Sequence, residues 1–178
     1  MKSPIHIRLC GPGDEDKLAL VGAASFLEAF ADVLAADDIL THCANQHAAA
    51  VYRSWLEDGN VRIWIAESGI GNAPVGYLVL APPKLPVADP MPYDLEVKRI
   101  YLLHRFQGNG LGRRLMAQAI AAAREVGSGR LLLGVYAKND AAIAFYERCG
   151  FRKVGERRFR VGNTECEDFV MGLELKTM

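Results

Sequence analysis

The decapeptide Arg105-Phe106-Gln107-Gly108-Asn109-Gly110-Leu111-Gly112-Arg113-Arg114 carries the clearest chemistry in the chain. Its three glycines alternate with larger residues between a strand-like and a helix-like segment. Glycine lets the backbone turn sharply and come close to a ligand. A helix that opens there aims its unpaired N–H groups at the same point. With arginines on both flanks, these are the parts of a pyrophosphate cradle. Three kinds of loop compete for it. A Walker loop requires Lys-Ser/Thr after its last glycine, but Arg113-Arg114 stands there. A dinucleotide loop requires GxGxxG and an acidic residue about 20 positions on, at a strand tip. Here the third glycine comes one residue early, and the next strand ends in Tyr136-Ala137-Lys138-Asn139. The Gln/Arg-x-x-Gly-x-Gly/Ala loop fits Gln107 to Gly112 at every fixed position.

Two flanking motifs join the loop. Lys98-Arg99-Ile100-Tyr101-Leu102-Leu103 lies just upstream, and Asn139-Asp140-Ala141-Ala142-Ile143-Ala144-Phe145-Tyr146-Glu147-Arg148-Cys149-Gly150-Phe151 lies downstream. Together the three stretches resemble the GNAT superfamily of N-acetyltransferases, which use acetyl-CoA. The resemblance spans about residues 60–175; the first sixty residues match in outline. It implies a single α/β domain over 1–178, with a mixed, mostly antiparallel sheet whose two central parallel strands splay apart. Acceptor-side elements would occupy 1–60, the central sheet and pyrophosphate loop 61–136, and the CoA-side helix and last hairpin 137–178.

The resemblance also implies roles. Backbone groups near Ile100, Tyr101 and Leu102 would pair with the amides of the pantetheine arm. Gln107, Gly108, Asn109, Gly110, Leu111, Gly112 and Arg113 would hold the pyrophosphate. Asn139, Phe145 and Tyr146 would complete the cofactor contacts, with Tyr146 as general acid near the sulfur. A core tyrosine is the competing reading, because Ala142, Phe145, Tyr146 and Cys149 share one helical face. Arg105, Arg113 and Arg114 are candidates for further phosphate contacts or are solvated charges. Positive charge at a helix N-terminus is mildly unfavourable without an anion. The general base is expected at Glu96 through water, against a solvated strand residue. Strict alternation puts Glu96 on one strand face with Lys98, Ile100 and Leu102. No acyl-enzyme is implied, so no cysteine nucleophile is sought, and no metal is expected.

For the acceptor, the segment 160–171 and the Lys98-Arg99-Ile100-Tyr101 strand resemble the spermidine/spermine-type branch. Glu28 and Asp32, one turn apart between Phe26 and Phe30, are the candidate contacts for a cationic amine; Glu28 and Phe30 are the positions chosen. A solvated helix stripe is the other reading. Lys98 argues against a polycation by placing positive charge on the route to the thioester. The expected activity is acetyl transfer to a primary amine of a small molecule, a polyamine among them. Acetylation of a protein lysine or N-terminus, and a non-catalytic CoA-sensing module, stay open.

These side chains need elements to position them. Ile5, Ile7 and Leu9 alternate as a strand. Helical patterns follow over 14–35 and 37–58, the second closed by Gly59. A hairpin is predicted from 61–67 and 75–80, then a Pro-rich surface loop over 82–92. The remaining elements are a strand over 95–103, a helix over 110–126, a strand over 131–136, a helix that Asn139 caps, and two strands near 151–160 and 165–174.

Lys and Arg total 21 against 21 Asp and Glu, so no global charge favours nucleic acid or an anionic membrane. The first ten residues hold no apolar signal core. Cys10, Cys43, Cys149 and Cys166 lack CxxC spacing, which points away from zinc and toward reduced thiols in the cytoplasm. Neither nucleic acid nor membrane is an expected partner. A homodimer stays open.

Overall fold

The computed structural model describes residues 4–175. The strand segments read from the sequence form seven strands: β1 Ile5–Leu9, β2 Arg62–Ser68, β3 Pro74–Ala81, β4 Leu95–Leu102, β5 Arg130–Tyr136, β6 Arg152–Val161 and β7 Thr164–Glu174. They make one sheet in the order β1-β2-β3-β4-β5-β7-β6. Every neighbouring pair is antiparallel except β4 and β5.

Five helices flank the sheet: α1 Glu15–Phe30, α2 Ala36–Gln46, α3 Ala49–Glu57, α4 Leu111–Glu125 and α5 Asp140–Arg148. On one face, α4 buries Leu111, Leu115, Met116 and Ala119 against Leu78, Leu80, Leu131 and Leu133. On the other, Leu18 and Val21 of α1 and Tyr52 of α3 cover Ile63, Ile65, Tyr77 and Val79. A helical stripe facing a β surface on each side is the α/β layering expected from the sequence.

The structure corrects two helix readings. The pattern over 37–58 is two helices, broken at His47-Ala48, where Ala48 is extended at φ −66° and ψ 146°. No glycine or proline marks the break. Burial decides it, because His47 turns inward and is only 3% exposed. The first helix stops at Phe30 rather than near 35, and a turn carries the chain to Leu34, which packs beside Phe26 and Ile39.

Two features of β4 prepare the site. It pairs with β5 only at Leu95–Leu131 and Glu96–Leu132, so the two parallel strands part from Val97 onward. It also carries a β-bulge. Val79 pairs with Arg99 and Leu80 with Val97, which leaves Lys98 as an extra residue. A bulge of this kind re-aims side chains. Lys98 Nζ and the Arg99 guanidinium both lie over Trp55, at 5.8 and 4.7 Å from the ring centre. Glu96 falls on the same side, since Ala81 and Val79 pair with Glu96 and Arg99 two residues apart. Ile100 and Leu102 pack into the opposite cluster with α4. The strict alternation expected for Glu96, Lys98, Ile100 and Leu102 is thus broken by one inserted residue.

The Pro-rich loop after β3 is tied down at both ends of its course. Buried Arg130 donates from Nη2 to Asp94 Oδ2 at 2.7 Å and to the Asp89 carbonyl at 2.9 Å. The Lys84 N–H donates to Glu96 Oε2 at 2.7 Å.

Candidate active site

The glycine loop turns through two left-handed residues, Gly108 at φ 77° and Gly110 at φ 75°. An L side chain is strained there, which is why glycine occupies both. Gln107 holds the loop to β4 by donating from Nε2 to the Leu102 carbonyl at 3.1 Å. The helical ladder of α4 starts only at the Arg114 N–H, which donates to the Gly110 carbonyl. Among the described residues, the N–H groups of Gly108 through Arg113 meet no acceptor. Six successive free donors at a helix start suit a pyrophosphate. At Gly112 an added Cβ would sit 3.2 Å from Phe145 Cζ, so this glycine lets α4 and α5 close together. Arg113 is exposed and without a partner among the described residues. Arg114 is otherwise engaged: its Nη2 donates to the Ile5 carbonyl at 3.3 Å.

The parting of β4 and β5 opens a cavity of about 420 Å³. Its cofactor side is lined by Ile100, Val135, Asn139, Ala142 and Tyr146. Asn139 caps α5 as expected, its Oδ1 accepting from the Ala142 N–H at 3.1 Å. Tyr146 is buried, packed edge-on to Phe145 and Phe151. Its hydroxyl has no partner among the described residues and is not sealed from solvent, so it opens toward the cavity. Burial pushes its pKa well above the ordinary phenol value. The phenol is therefore a proton donor at neutral pH.

The other lobe is lined by Phe26, Phe30, His42, His47, Phe159 and Arg160, with Glu96, Lys98, Arg99, Arg157 and Asp168. Glu96 is buried; one oxygen is fixed by the Lys84 N–H, and the other has no partner among the described residues. Burial lowers the pKa of Lys98, which the charge of Glu96 partly restores. Arg157 donates from Nε and Nη2 to one oxygen of buried Asp168, at 3.2 and 3.1 Å. Burial raises the Asp168 pKa and Arg157 opposes the rise. Arg157 lies across β5 at Gly134, where an added Cβ would be 2.8 Å from its Nη2. Only a glycine leaves that path open.

Arg99 is set by neutral groups. Its Nη1 donates to the Gln46 carbonyl and to the Tyr52 hydroxyl, each at 2.9 Å. His47 Nδ1 lies 2.8 Å from that hydroxyl and 3.4 Å from Arg99 Nη1. The same hydroxyl donates to the Tyr77 hydroxyl at 3.1 Å, so it joins His47, Arg99 and Tyr77 in one network. Burial, with Arg99 adding, lowers the His47 pKa to about 3 and that of neighbouring His42 to about 4. Both rings are neutral at physiological pH. The α2 wall that bears them is latched to the β6–β7 turn: Asp38 accepts from the Asn163 N–H at 2.9 Å and from the Thr164 hydroxyl.

Six of the residues expected from the sequence line this cavity: Glu96, Ile100, Tyr101, Asn139, Tyr146 and Phe30; Leu102, Phe145 and the loop residues 107–113 lie outside its lining. Glu28 lies outside it too. Its Oε2 accepts from the His104 N–H at 2.8 Å, which ties α1 to the segment after β4. Asp32 is exposed in the turn beyond α1. His42 and His47, whose residue type alone suggests titration near neutrality, are instead held neutral by burial. Tyr52, Arg157 and Asp168 have no local sequence signal of their own. The hairpin register could have supplied the last two, because a two-residue turn at Gly162-Asn163 brings Arg157 opposite Asp168. Burial raises the pKa of all four cysteines, Cys10 to about 12, so none is a thiolate at neutral pH. No helix among the described residues is long and apolar enough to cross a membrane.

Comparison with known proteins agrees with this geometry. The profile of the Acetyltransferase (GNAT) family matches residues 27–151. An uncharacterized N-acetyltransferase of Mycobacterium bovis is 33% identical over 162 residues, covering 91% of this chain and 98% of its own length. In structure, the chain is similar to the PaiA N-acetyltransferase of Thermoplasma acidophilum, solved in complex with coenzyme A, at a TM-score of 0.75 and 16% identity. That alignment covers 96% of this chain and 99% of the other. It is also similar to YncA of Salmonella typhimurium, solved with acetyl-CoA, at a TM-score of 0.69 and 20% identity, covering 98% and 95%. The chain belongs to the GNAT family and is an acetyl-CoA-dependent N-acetyltransferase. Coenzyme A fits the groups present: a diphosphate for the free N–H run and an amide-bearing arm for the open edge of β4.

Proposed function

We propose that the chain transfers acetyl directly from acetyl-CoA to a primary amine of a small molecule. The observation that carries this reading is the single cavity shared by the Tyr146 side and the Glu96 side of β4. Bound acetyl-CoA supplies the activated acyl group as a thioester. The free N–H groups of 108–113 hold its diphosphate, and the unpaired edge of β4 around Ile100 to Leu102 orients its arm. Glu96, through a water on its unpartnered oxygen, takes the proton that the amine sheds as the N–C bond forms. Tyr146 donates its phenolic proton to the sulfur as the C–S bond breaks. The products are an amide and the free thiol of CoA. Asp168 keeps Arg157 in place rather than acting as the base, because both Arg157 bonds fall on it.

The polyamine form of this reading meets an unfavourable lobe. Four cationic side chains, Lys98, Arg99, Arg157 and Arg160, line it against Glu96 and Asp168. Four unpaired cysteines suit a reducing compartment and support a cytoplasmic location.

The test is an amine panel with acetyl-CoA, read by release of free thiol. It includes small primary amines, spermidine and a peptide with a free N-terminus. Turnover of small amines is expected. Turnover of the peptide alone overturns the small-molecule reading. If acetyl-CoA raises the melting temperature but no amine turns over, the chain is a CoA-sensing module.

A further inference from the structure

We propose that the acceptor amine also carries an anionic group, a carboxylate or a phosphate, which docks on the Nε–Nη2 edge of Arg99. This rests on the small-amine reading and narrows it to one substrate class.

Three observations converge on Arg99. The first is its hydrogen bonding. Gln46, Tyr52 and His47 all engage Nη1, so the guanidinium is fixed while Nε and Nη2 meet no acceptor among the described residues. Neither nitrogen is sealed from solvent, although the residue is half-buried at the cavity wall. That edge presents two parallel N–H donors, the fork that binds a carboxylate or phosphate through two bonds.

The second is its electrostatic setting. All the groups that orient Arg99 are neutral, the histidines included. No carboxylate among the described residues pairs with it, whereas Arg157 has Asp168. A partly buried cation without a counter-ion carries a desolvation cost that an incoming anion removes. The stack on Trp55 holds the plane of the guanidinium and shields it from water on one side.

The third is its position. Arg99 lies on the α3 side of β4, where the bulge sends it, while the pyrophosphate loop follows the far end of the strand and opens α4 on the other side. The cofactor phosphates therefore have their own donors, and the Arg99 fork is left for the acceptor. Phe26, Phe30 and Phe159 line the same lobe and fit an apolar body between the amine and the anion.

The experiment compares matched amines with wild-type enzyme and acetyl-CoA: L-phenylalanine with phenethylamine, and O-phosphoethanolamine with ethanolamine. The anionic member of at least one pair is expected to have kcat/KM at least tenfold higher, and the favoured pair tells carboxylate from phosphate. In Arg99→Gln that ratio falls toward one. Arg99→Lys keeps the charge without the fork and gives an intermediate ratio. Because these variants also lose contacts to Tyr52, a second measurement uses the unaltered protein. There, 3-phenylpropanoate should inhibit competitively with the amine, and 3-phenylpropanamide should inhibit at least tenfold more weakly. Equal kcat/KM within both pairs overturns the proposal, and so does equal inhibition by the acid and the amide where the carboxylate pair is the favoured one. Turnover of the neutral amines with no preference leaves small-amine acetylation standing and removes only the anion. No turnover of any amine removes the reading beneath it.

Discussion

Lowering the pH from 7 to 5 should cost the fold about 2 kcal/mol through His47 alone. The ring is buried and neutral, with its pKa lowered to about 3 by burial and then by Arg99 and His42. In the unfolded chain a histidine titrates near 6.5. A depressed folded pKa means that its stabilising contribution is full above the unfolded value and is lost as pH falls through 6.5 toward 3. At pH 5 the unfolded state holds nearly one more proton than the folded state. Integrating that difference from pH 7 gives the figure of about 2 kcal/mol. His42 moves the same way, to about 4, and steepens the slope further. Asp14 and Glu67, whose pKa values are lowered chiefly by hydrogen bonds from Arg8, act below this window. The assay is urea unfolding at pH 7, 6 and 5 for wild type and for His47→Gln, whose amide can hydrogen-bond to Tyr52 but cannot titrate. The variant should be less stable at pH 7, yet lose about 2 kcal/mol less on going to pH 5. Equal pH slopes in the two proteins, or a His47 ring that titrates above pH 6 by NMR, would refute the reasoning.

Two further outcomes follow from the cofactor side. Tyr146→Phe should lower kcat by about 100-fold on a true acceptor, with CoA affinity by calorimetry retained; an unchanged kcat removes the phenol as the acid. Gly110→Ala meets no atom within 4 Å, so its effect is backbone strain at φ 75° alone. It should cost about 1 kcal/mol of stability and weaken acetyl-CoA binding by calorimetry; unaltered affinity argues against the loop as the diphosphate site.

The strands and the cofactor loop were legible because their signals are local. Alternation marks β1, short apolar runs bounded by turn residues mark β2, β3 and β5, which are buried almost throughout, and glycine spacing marks a backbone that must turn left-handed twice. The acceptor lobe was not, because its parts meet only through tertiary contacts. The helix breaks at His47 without any breaker residue, where the ring is buried beside Phe26 and Tyr52, a tertiary contact that no local pattern announces. Glu28 has the right type and periodicity for an acceptor contact, yet it lies outside the cavity lining and its Oε2 accepts from the His104 N–H. The bulge at Lys98 is invisible to periodicity, because one inserted residue leaves both flanking patterns intact.

That inserted residue also decides what the wall tolerates. With regular pairing at this spacing, Glu96 and Arg99 would point to opposite faces of β4, since they are an odd number of positions apart. The bulge absorbs Lys98 and sets the two residues opposite Ala81 and Val79, on one face. Removing Lys98 would leave them an even number of positions apart and still on that face. Ironing out the bulge with Lys98 in place would turn one of them over. The shared wall therefore survives loss of the extra residue, but not regular pairing with the extra residue kept.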